Sequence, residues 1–184
     1  MKAGWIVLGL VLLIVLGFGG CYNSLVTKHE AIKAQWSQVE NVLQRRMDLI
    51  PNLVNTVKGY AKHERKLLEN ITKARSAWAG ATTPQDKMAV NKNMDGMLSR
   101  LMVVVENYPQ LKASENFLNL QNELAGTENR IAVERMRYNE AVKSYDIAVK
   151  QFPATLIAAR MGFAVSGAYF EAEPAAKQAP EVKF

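Results

Sequence analysis

The sequence offers few side chains whose type and spacing could support catalysis. His63 and Glu64 begin like a zinc-protease helix, in which a second histidine follows the first by four residues so that both face the metal. Leu67 occupies that position, so the second ligand is missing. The one cysteine, Cys21, excludes an internal disulfide and a cysteine-based metal cage. We therefore predict no metal and no cofactor.

Carboxylates that could act as general acid and base are also poorly placed. Two glutamate pairs have a spacing of five residues, which turns their side chains apart on a helix. These pairs are Glu64 with Glu69, and Glu123 with Glu128. His29 lies on a predicted apolar face, where a packed histidine is more common than a ligand. Because no glycine-rich phosphate loop or nucleophile motif is present either, we predict that the protein is not an enzyme.

A second group of polar residues interrupts or adjoins the apolar seams of the predicted helices. Its members include Glu64, Arg75, Thr127, Arg130, Arg135 and Asn139. A buried charge is costly unless it is paired, so two interpretations stay open. The residues either form an ion-pair layer inside a helical bundle, which fixes the helix register, or they face another subunit or partner.

An uncharged segment near the N-terminus is long enough to cross a membrane. Residues 4–20, GWIVLGLVLLIVLGFGG, would span roughly 25 Å as a helix. Trp5 and Tyr22 stand near its ends, where amphipathic rings favour the bilayer interface. The pattern favours a retained transmembrane anchor over residues 1–22. Lipidation at Cys21 and simple cleavage stay open as alternatives.

The rest of the chain has apolar residues at alternating spacings of three and four, which predicts long amphipathic helices. The longest seam runs from Phe117 to Phe152. Such helices need partners, so we predict an all-α fold with an antiparallel four-helix bundle over residues 23–160. The predicted helices cover about 24–48, 51–79, 84–107 and 115–152, and residues 161–184 form a C-terminal turn and an extended tail.

Pro51 decides where the first of these helices ends. Proline in a helix interior costs about 3 kcal/mol, but little in the first turn of a new helix. We therefore favour a sharp turn at Asp48 to Pro51 over a kink, with Asp48 as the cap of the second helix. Arg45 and Arg46 would then lie in the last turn of the first helix, where they complement its negative end.

The charge distribution argues against a nucleic-acid partner. The formal net charge is +6, and basic and acidic residues are interspersed along the chain. A nucleic-acid-binding face would require clustered basic residues. We predict a solvated helical surface and no nucleic-acid binding.

Several blocks of the sequence, spread over residues 22–171, resemble the LemA family of bacterial membrane proteins. The blocks include YNSLV at 22–26, WSQVE at 36–40, residues 45–64, ENYPQLKA at 106–113, TENRIA at 127–132, RYN at 137–139, FP at 152–153 and YF at 169–170. Residues 161–168 depart from the family pattern, since similar proteins have a shorter turn with a lysine before the Tyr-Phe pair.

The resemblance implies an N-terminal anchor, an up-and-down bundle and no established catalytic activity. It also implies a role in membrane stress or quality control, with a membrane zinc metalloprotease as a possible partner. The expected location is the bacterial plasma membrane, as a single-pass protein. Lys2 and the N-terminal amine precede the apolar segment, and Lys28 and Lys33 follow it, so the positive charges do not determine which side of the membrane the bundle occupies. The likeness of Cys21 to a lipidation site favours an extracytoplasmic bundle.

The function favoured by these observations is binding: the protein contacts membrane lipid and either self-associates as a homo-oligomer or binds an envelope protein. The alternative is a small-ligand sensor with a pocket in the bundle core. The candidate interaction or register-setting residues are Arg45, Arg46, Asp48, Arg130, Arg135 and Asn139. At the end of the tail, Pro180, Val182 and Phe184 form a candidate segment that docks in extended form; a disordered tail is the alternative.

Overall fold

The computed structural model describes residues 2–170, and within them every element is helical or irregular, with no strand. The all-α class is thus confirmed, while the antiparallel four-helix bundle arrangement stays a prediction. The docking segment Pro180, Val182 and Phe184 lies outside the described residues. The helices are α1 (Lys2–Tyr60), α2 (Arg65–Gly80), α3 (Pro84–Val105), α4 (Pro109–Lys112), α5 (Glu115–Lys150) and α6 (Thr155–Ala158), with 3-10 turns at Lys62–Glu64 and Ala159–Met161.

The chain divides into two compact units, each of which contains parts of α1 and α5. The central unit is Ala34–Met136, and the terminal unit combines the chain up to Lys33 with the chain from Arg137 onward. We describe each unit separately.

Most of the core of the central unit is formed by the apolar seams that the spacing predicts, whereas Leu53 and Leu111 are buried outside those seams. In this unit α2 packs against α3. Thr83 caps α3 as expected: its Oγ1 accepts a hydrogen bond of 3.1 Å from the Asp86 N–H, and Pro84 occupies the first turn. The fully buried members of the core include Val39, Leu43, Leu53, Val57, Ile71, Met94, Leu101, Leu111 and Ile131.

The predicted turn at Asp48 to Pro51 is wrong, because α1 continues through Pro51 and ends at Tyr60. The seam around the proline keeps its helical spacing, so an unbroken helix buries Met47, Ile50 and Val57 on one face. Each such side chain contributes about 1.5–3 kcal/mol when fully buried, which together exceeds the cost of roughly 3 kcal/mol for an interior proline.

Three predicted roles change with this boundary. Asp48 is not a cap but an exposed residue within α1, where its Oδ1 accepts a hydrogen bond of 2.8 Å from Gln44 Nε2. Arg45 and Arg46 lie in the interior of α1, far from its C-terminal end, so they cannot complement the helix dipole there. The chain instead turns at Ala61 and the short 3-10 turn Lys62–Glu64.

The terminal unit contains the apolar start of α1 and a small core of its own. An 18-residue window of α1 is apolar enough to cross a membrane, and none of it is buried. Farther along α1, Leu25 packs with residues that follow from the end of α5. This cluster consists of Leu25, Tyr145, Val149, Ala154 and Ala158, with Cys21, Ile32, Ala148 and Phe163 packed against it.

His29 behaves as a packed aromatic residue in the terminal unit. Its ring centroid lies 5.4 Å from that of Tyr145 and 6.4 Å from that of Phe163. The histidine therefore contributes to aromatic packing.

The predicted fourth helix, α5, ends two residues before the last residue of its predicted apolar seam. Phe152 follows the three-four spacing, but α5 ends at Lys150 and Phe152 is 79% exposed. The residue before a proline is disfavoured in helical conformation, and Pro153 follows directly. Beyond α6, Gly162 has a φ of 80°, and the Phe163 N–H donates to the Ala158 carbonyl at 2.9 Å, which closes the helix end.

Candidate functional site

A buried arginine lies at the centre of the most concentrated polar cluster in the central unit. Arg46 is 6% exposed, and its Nη1 contacts Asp95 Oδ1 and lies 3.0 Å from Glu128 Oε2. Asn91 is fully buried, and its Oδ1 accepts a weaker hydrogen bond of 3.5 Å from the same Nη1. We call Arg46, Asn91, Asp95, Glu128 and Arg135 the polar layer.

Asp95 joins the two arginines of the polar layer. Its Oδ2 accepts a hydrogen bond of 3.2 Å from Asn91 Nδ2 and lies 3.6 Å from Arg135 Nη2. Arg46 comes from α1, Asp95 from α3, and Arg135 from α5. The cluster therefore links three helices of the central unit through side chains.

The polar layer is balanced in charge, with two guanidinium groups and two carboxylates. Since Arg46 is nearly inaccessible to water, its charge depends on Asp95 and Glu128 for compensation. Removing one member of an ion pair costs about 3–5 kcal/mol when the charge that remains is itself buried, because that charge is then left unpaired. Such an arrangement penalises a shifted helix register, because a shift would separate the paired charges.

Sequence reasoning identified Arg46 and Arg135 but missed Asn91, Asp95 and Glu128. Asn91 precedes Met94 by three residues, so the seam of α3 could have been extended to it by the same spacing. Asp95 is adjacent to the seam residue Met94, and only the fold shows that it lies between two arginines.

The remaining predicted residues of the central unit lie outside the polar layer. Arg45 Nη2 contacts Glu123 Oε2 at 3.1 Å, with both side chains 53% exposed, so the pair contributes at most about 1 kcal/mol. Asp48 and Arg130 are exposed. Arg130 shares one side of α5 with the exposed apolar residues Val133 and Met136, which follow at intervals of three.

Asn139 acts in the terminal unit, where it holds the segment that ends the described chain. Its Nδ2 donates to the Phe170 carbonyl at 3.0 Å, and its Oδ1 accepts from the Phe170 N–H at 2.9 Å. The ring of Phe170 also packs edge-on against Tyr138, with centroids 5.5 Å apart. A side-chain amide thus pairs with both backbone groups of one residue, as a neighbouring strand would.

Asp146 makes a second attachment of the same segment. This buried carboxylate accepts hydrogen bonds from the Ser166 N–H at 2.8 Å and from the Tyr169 hydroxyl at 3.1 Å. Residues 166–170 therefore run back along α5, from Asp146 towards Asn139. The Ser166 N–H that donates to Asp146 lies within residues 161–168, where the resemblance predicts a departure from the family pattern.

Three tyrosines of the terminal unit have perturbed ionisation. Burial raises the pKa of Tyr138 above its ordinary value. Burial, followed by the negative charge of Asp146, raises the pKa of Tyr145. Burial and the hydrogen bond to Asp146 raise the pKa of Tyr169. In each case the neutral phenol is favoured in the folded protein.

A basic cleft lies in the central unit where α1 ends and α2 begins. Its volume is about 700 Å³, within the range of small-molecule sites. Val54, Ala61 and Leu68 provide apolar surface, while four cationic side chains and one carboxylate supply the charge. The lining residues are Val54, Lys58, Ala61, Lys62, Arg65, Leu68, Glu69, Thr72 and Lys73.

Across residues 2–170, no group of three or more His, Cys, Asp or Glu side chains is placed to hold a metal ion. The described part of the chain therefore offers the polar layer, the clamp that the Asn139 side chain forms on the Phe170 backbone, and the basic cleft. All three are suited to fixing or recognising other groups.

Comparison with known proteins agrees with the family resemblance. The sequence profile of the LemA family matches residues 35–184. Magnetosome protein MamQ 2 of Paramagnetospirillum magneticum is 27% identical over 180 residues, and Magnetosome protein MamQ of Magnetospirillum gryphiswaldense is 26% identical, each over 84% of this chain. Protein LemA of Metamycoplasma hominis is 23% identical over 143 residues, or 77% of this chain.

The chain spans 66% of the length of both MamQ relatives and 65% of the length of the mycoplasma protein.

Proposed function

The chain belongs to the LemA family, and we propose that it is a membrane-anchored helical protein that acts by binding other proteins rather than by catalysis. In this proposal the apolar start of α1 crosses the bacterial plasma membrane once, and the rest of α1 forms an antiparallel bundle with the helices that follow it, on the extracytoplasmic side of that membrane. The bundle self-associates or binds an envelope protein in membrane stress or quality control, with a membrane zinc metalloprotease as one candidate partner.

The apolar start of α1 carries this proposal. Eighteen consecutive residues are apolar enough to span a bilayer, and none of them is buried by the part of the chain that the structure describes. An exposed apolar surface of this size requires lipid or protein to cover it. Lipid is the natural cover, because the segment also has the length of a spanning helix.

The polar layer and the outer side of α5 support a binding role for the central unit. The two arginines of the polar layer pair with its two carboxylates, and a shift of one helix would separate these pairs. Arg46 and Arg135 therefore fix the register of the helices that carry them. Three exposed side chains of α5 lie outside this layer and are available to a partner protein, namely Arg130, Val133 and Met136. Both arginine and methionine are enriched at protein interfaces relative to the rest of the protein surface.

Crosslinking in native membranes, followed by purification in detergent and size-exclusion chromatography, tests this role. We expect the wild-type protein to elute as an oligomer or to carry a crosslinked envelope protein, and the double variant Val133→Asp, Met136→Asp to lose that association. Val103→Asp is the control, because Val103 is an apolar residue on α3 that is even more exposed than Val133 and Met136. A monomeric wild-type protein without a crosslinked partner would contradict the proposal.

The basic cleft supports a second candidate function, sensing of a small organic anion. Four cationic and three apolar lining residues suit a ligand with an anionic group and an apolar body. Anilinonaphthalenesulfonate has this chemistry and serves as a fluorescent probe. Sensing predicts saturable binding that raises the melting temperature and is lost in Lys62→Glu, Arg65→Glu, whereas weak binding of equal strength in both proteins contradicts it.

A further inference from the structure

The terminal unit exposes apolar side chains directly after α5. Phe152 is 79% exposed, and Leu156 and Met161 are also exposed. Phe152 continues the apolar seam in sequence but leaves the helix before Pro153, so its ring does not enter the core of the unit. The surrounding residues Ala154 and Ala158 do enter the core, which fixes the segment in place.

This segment lies against the end of the apolar stretch of α1. Phe152, Pro153 and Ala154 line a crevice of about 310 Å³ together with Gly17 and Gly20, among other residues. Both glycines belong to the uncharged run at 4–20. If that run spans the bilayer, its C-terminal end lies at the bilayer interface, and Phe152 lies at the same level.

The charges of the segment suit an anionic surface. Residues 147–170 contain Lys150 and Arg160 and no acidic residue. Both basic side chains are exposed. Basic residues near an anionic leaflet contribute about 1 kcal/mol each to membrane binding, and aromatic and aliphatic side chains add burial in the interface.

We infer that residues 150–161 form a second membrane contact, in which Phe152, Leu156 and Met161 enter the interface of the bilayer that α1 crosses, while Lys150 and Arg160 bind anionic lipid headgroups. This inference rests on the proposed membrane anchoring. The contact would fix the orientation of the terminal unit at the surface, because two points of attachment remove rotation about a single spanning helix.

Fluorescence quenching in reconstituted full-length protein tests the contact. Cys21→Ser removes the native thiol, and single cysteines are then introduced by Phe152→Cys, Leu12→Cys or Glu140→Cys and labelled with nitrobenzoxadiazole. The vesicles contain phosphatidylcholine and phosphatidylglycerol, with or without a lipid that carries a nitroxide on its acyl chain. Glu140 is the matched control, since it is exposed on α5 about 15 Å before Lys150 along the helix axis.

We expect loss of fluorescence at positions 12 and 152 and little loss at 140, with weaker quenching at 152 in Lys150→Glu, Arg160→Glu. Quenching at 12 but not at 152 overturns the contact and leaves the anchor intact. No quenching at 12 overturns the anchor and the contact together. A label at 152 that is shielded from water but unaffected by the nitroxide lipid would show a protein surface, such as a second copy, in place of lipid.

Discussion

Arg75 donates a hydrogen bond from its Nε to the main-chain carbonyl of Met47 at 3.1 Å. That carbonyl is four residues before Pro51, so it is the one that proline leaves without a helical N–H donor. A side chain from α2 thus replaces the missing bond in α1. The replacement explains how α1 continues through the proline, because a carbonyl left unpaired in a part-buried position would add to the cost.

The pairing predicts that the effects of Arg75 and Pro51 on stability are coupled. Arg75→Leu should lower the free energy of unfolding by about 1–3 kcal/mol, because the Met47 carbonyl loses its donor. In the Pro51→Ala background the helix supplies its own N–H, so the same change should cost less, with a coupling energy of about 0.5–3 kcal/mol. Denaturant unfolding of the four proteins measures the cycle.

The exposed Lys66 on the same helix provides the control for this cycle. Lys66→Leu should have a similar small effect in both backgrounds. Equal losses for Arg75→Leu with and without Pro51 would show that the arginine acts independently of the proline.

The sequence predicted α3 and α5 to within about two residues, but it placed the boundary between the first two helices at Asp48 to Pro51, whereas α1 ends at Tyr60 and α2 begins at Arg65. Spacing of three and four recurs on both sides of Pro51, so it could not reveal whether the helix breaks there. The answer depends on Arg75, which follows 24 residues later in sequence and meets Met47 only through the fold. By contrast, the approximate end of α5 could be predicted from the local sequence, because Phe152 precedes a proline and is therefore disfavoured in a helical conformation.

The candidate site shows the same limit. Seam spacing selected Arg135 as a polar residue at a core position, and Asn91 satisfies the same test at the start of the α3 seam. Asp95 and Glu128 each lie one position beside a seam, where the sequence cannot distinguish a solvated carboxylate from a partner of a buried arginine. Their role follows from the distances to Arg46.

Two adjacent arginines allow a matched test of burial. Arg46→Met should lower the free energy of unfolding by about 1.5–3 kcal/mol, because Asp95, Glu128 and the buried Asn91 lose a shared charged hydrogen-bond donor while water still reaches the two carboxylates in part. Arg45→Met removes an exposed pair with Glu123 and should cost no more than about 1 kcal/mol. Chemical denaturation followed by circular dichroism measures both, and similar losses for the two variants would contradict the role assigned to burial.

Arg135 provides a graded test of the polar layer. Its Nη2 lies 3.6 Å from Asp95, and its side chain is half-buried. Arg135→Leu should lower the melting temperature by less than Arg46→Met does, because water still reaches this part of the layer. An unchanged melting temperature together with loss of a crosslinked partner would assign Arg135 to an interface instead.

The three perturbed tyrosines predict alkaline destabilisation. Their folded pKa values are raised above the ordinary value of about 10, so the unfolded state releases these protons first as the pH rises. The stability contribution is fully present below the unfolded pKa and is lost as the pH passes through the folded values. Absorbance of the phenolate should therefore rise late for these residues, and Tyr138→Phe should remove part of the late signal and part of the pH dependence.

The clamp between Asn139 and Phe170 predicts a local effect that is separable from global stability. Asn139→Leu removes both hydrogen bonds to the Phe170 backbone, so the Phe170 amide should exchange with deuterium faster, while core amides near Tyr145 keep their protection. Asn139→Asp retains the acceptor for the Phe170 N–H and loses the donor to the carbonyl, so its exchange rate should fall between the two. Asp146→Asn adds a test of direction along the segment, because it weakens the acceptor of the Ser166 N–H and should accelerate exchange at Ser166 more than at Phe170. Uniform acceleration throughout α5 in Asn139→Leu would instead show that the segment stabilises the whole terminal unit.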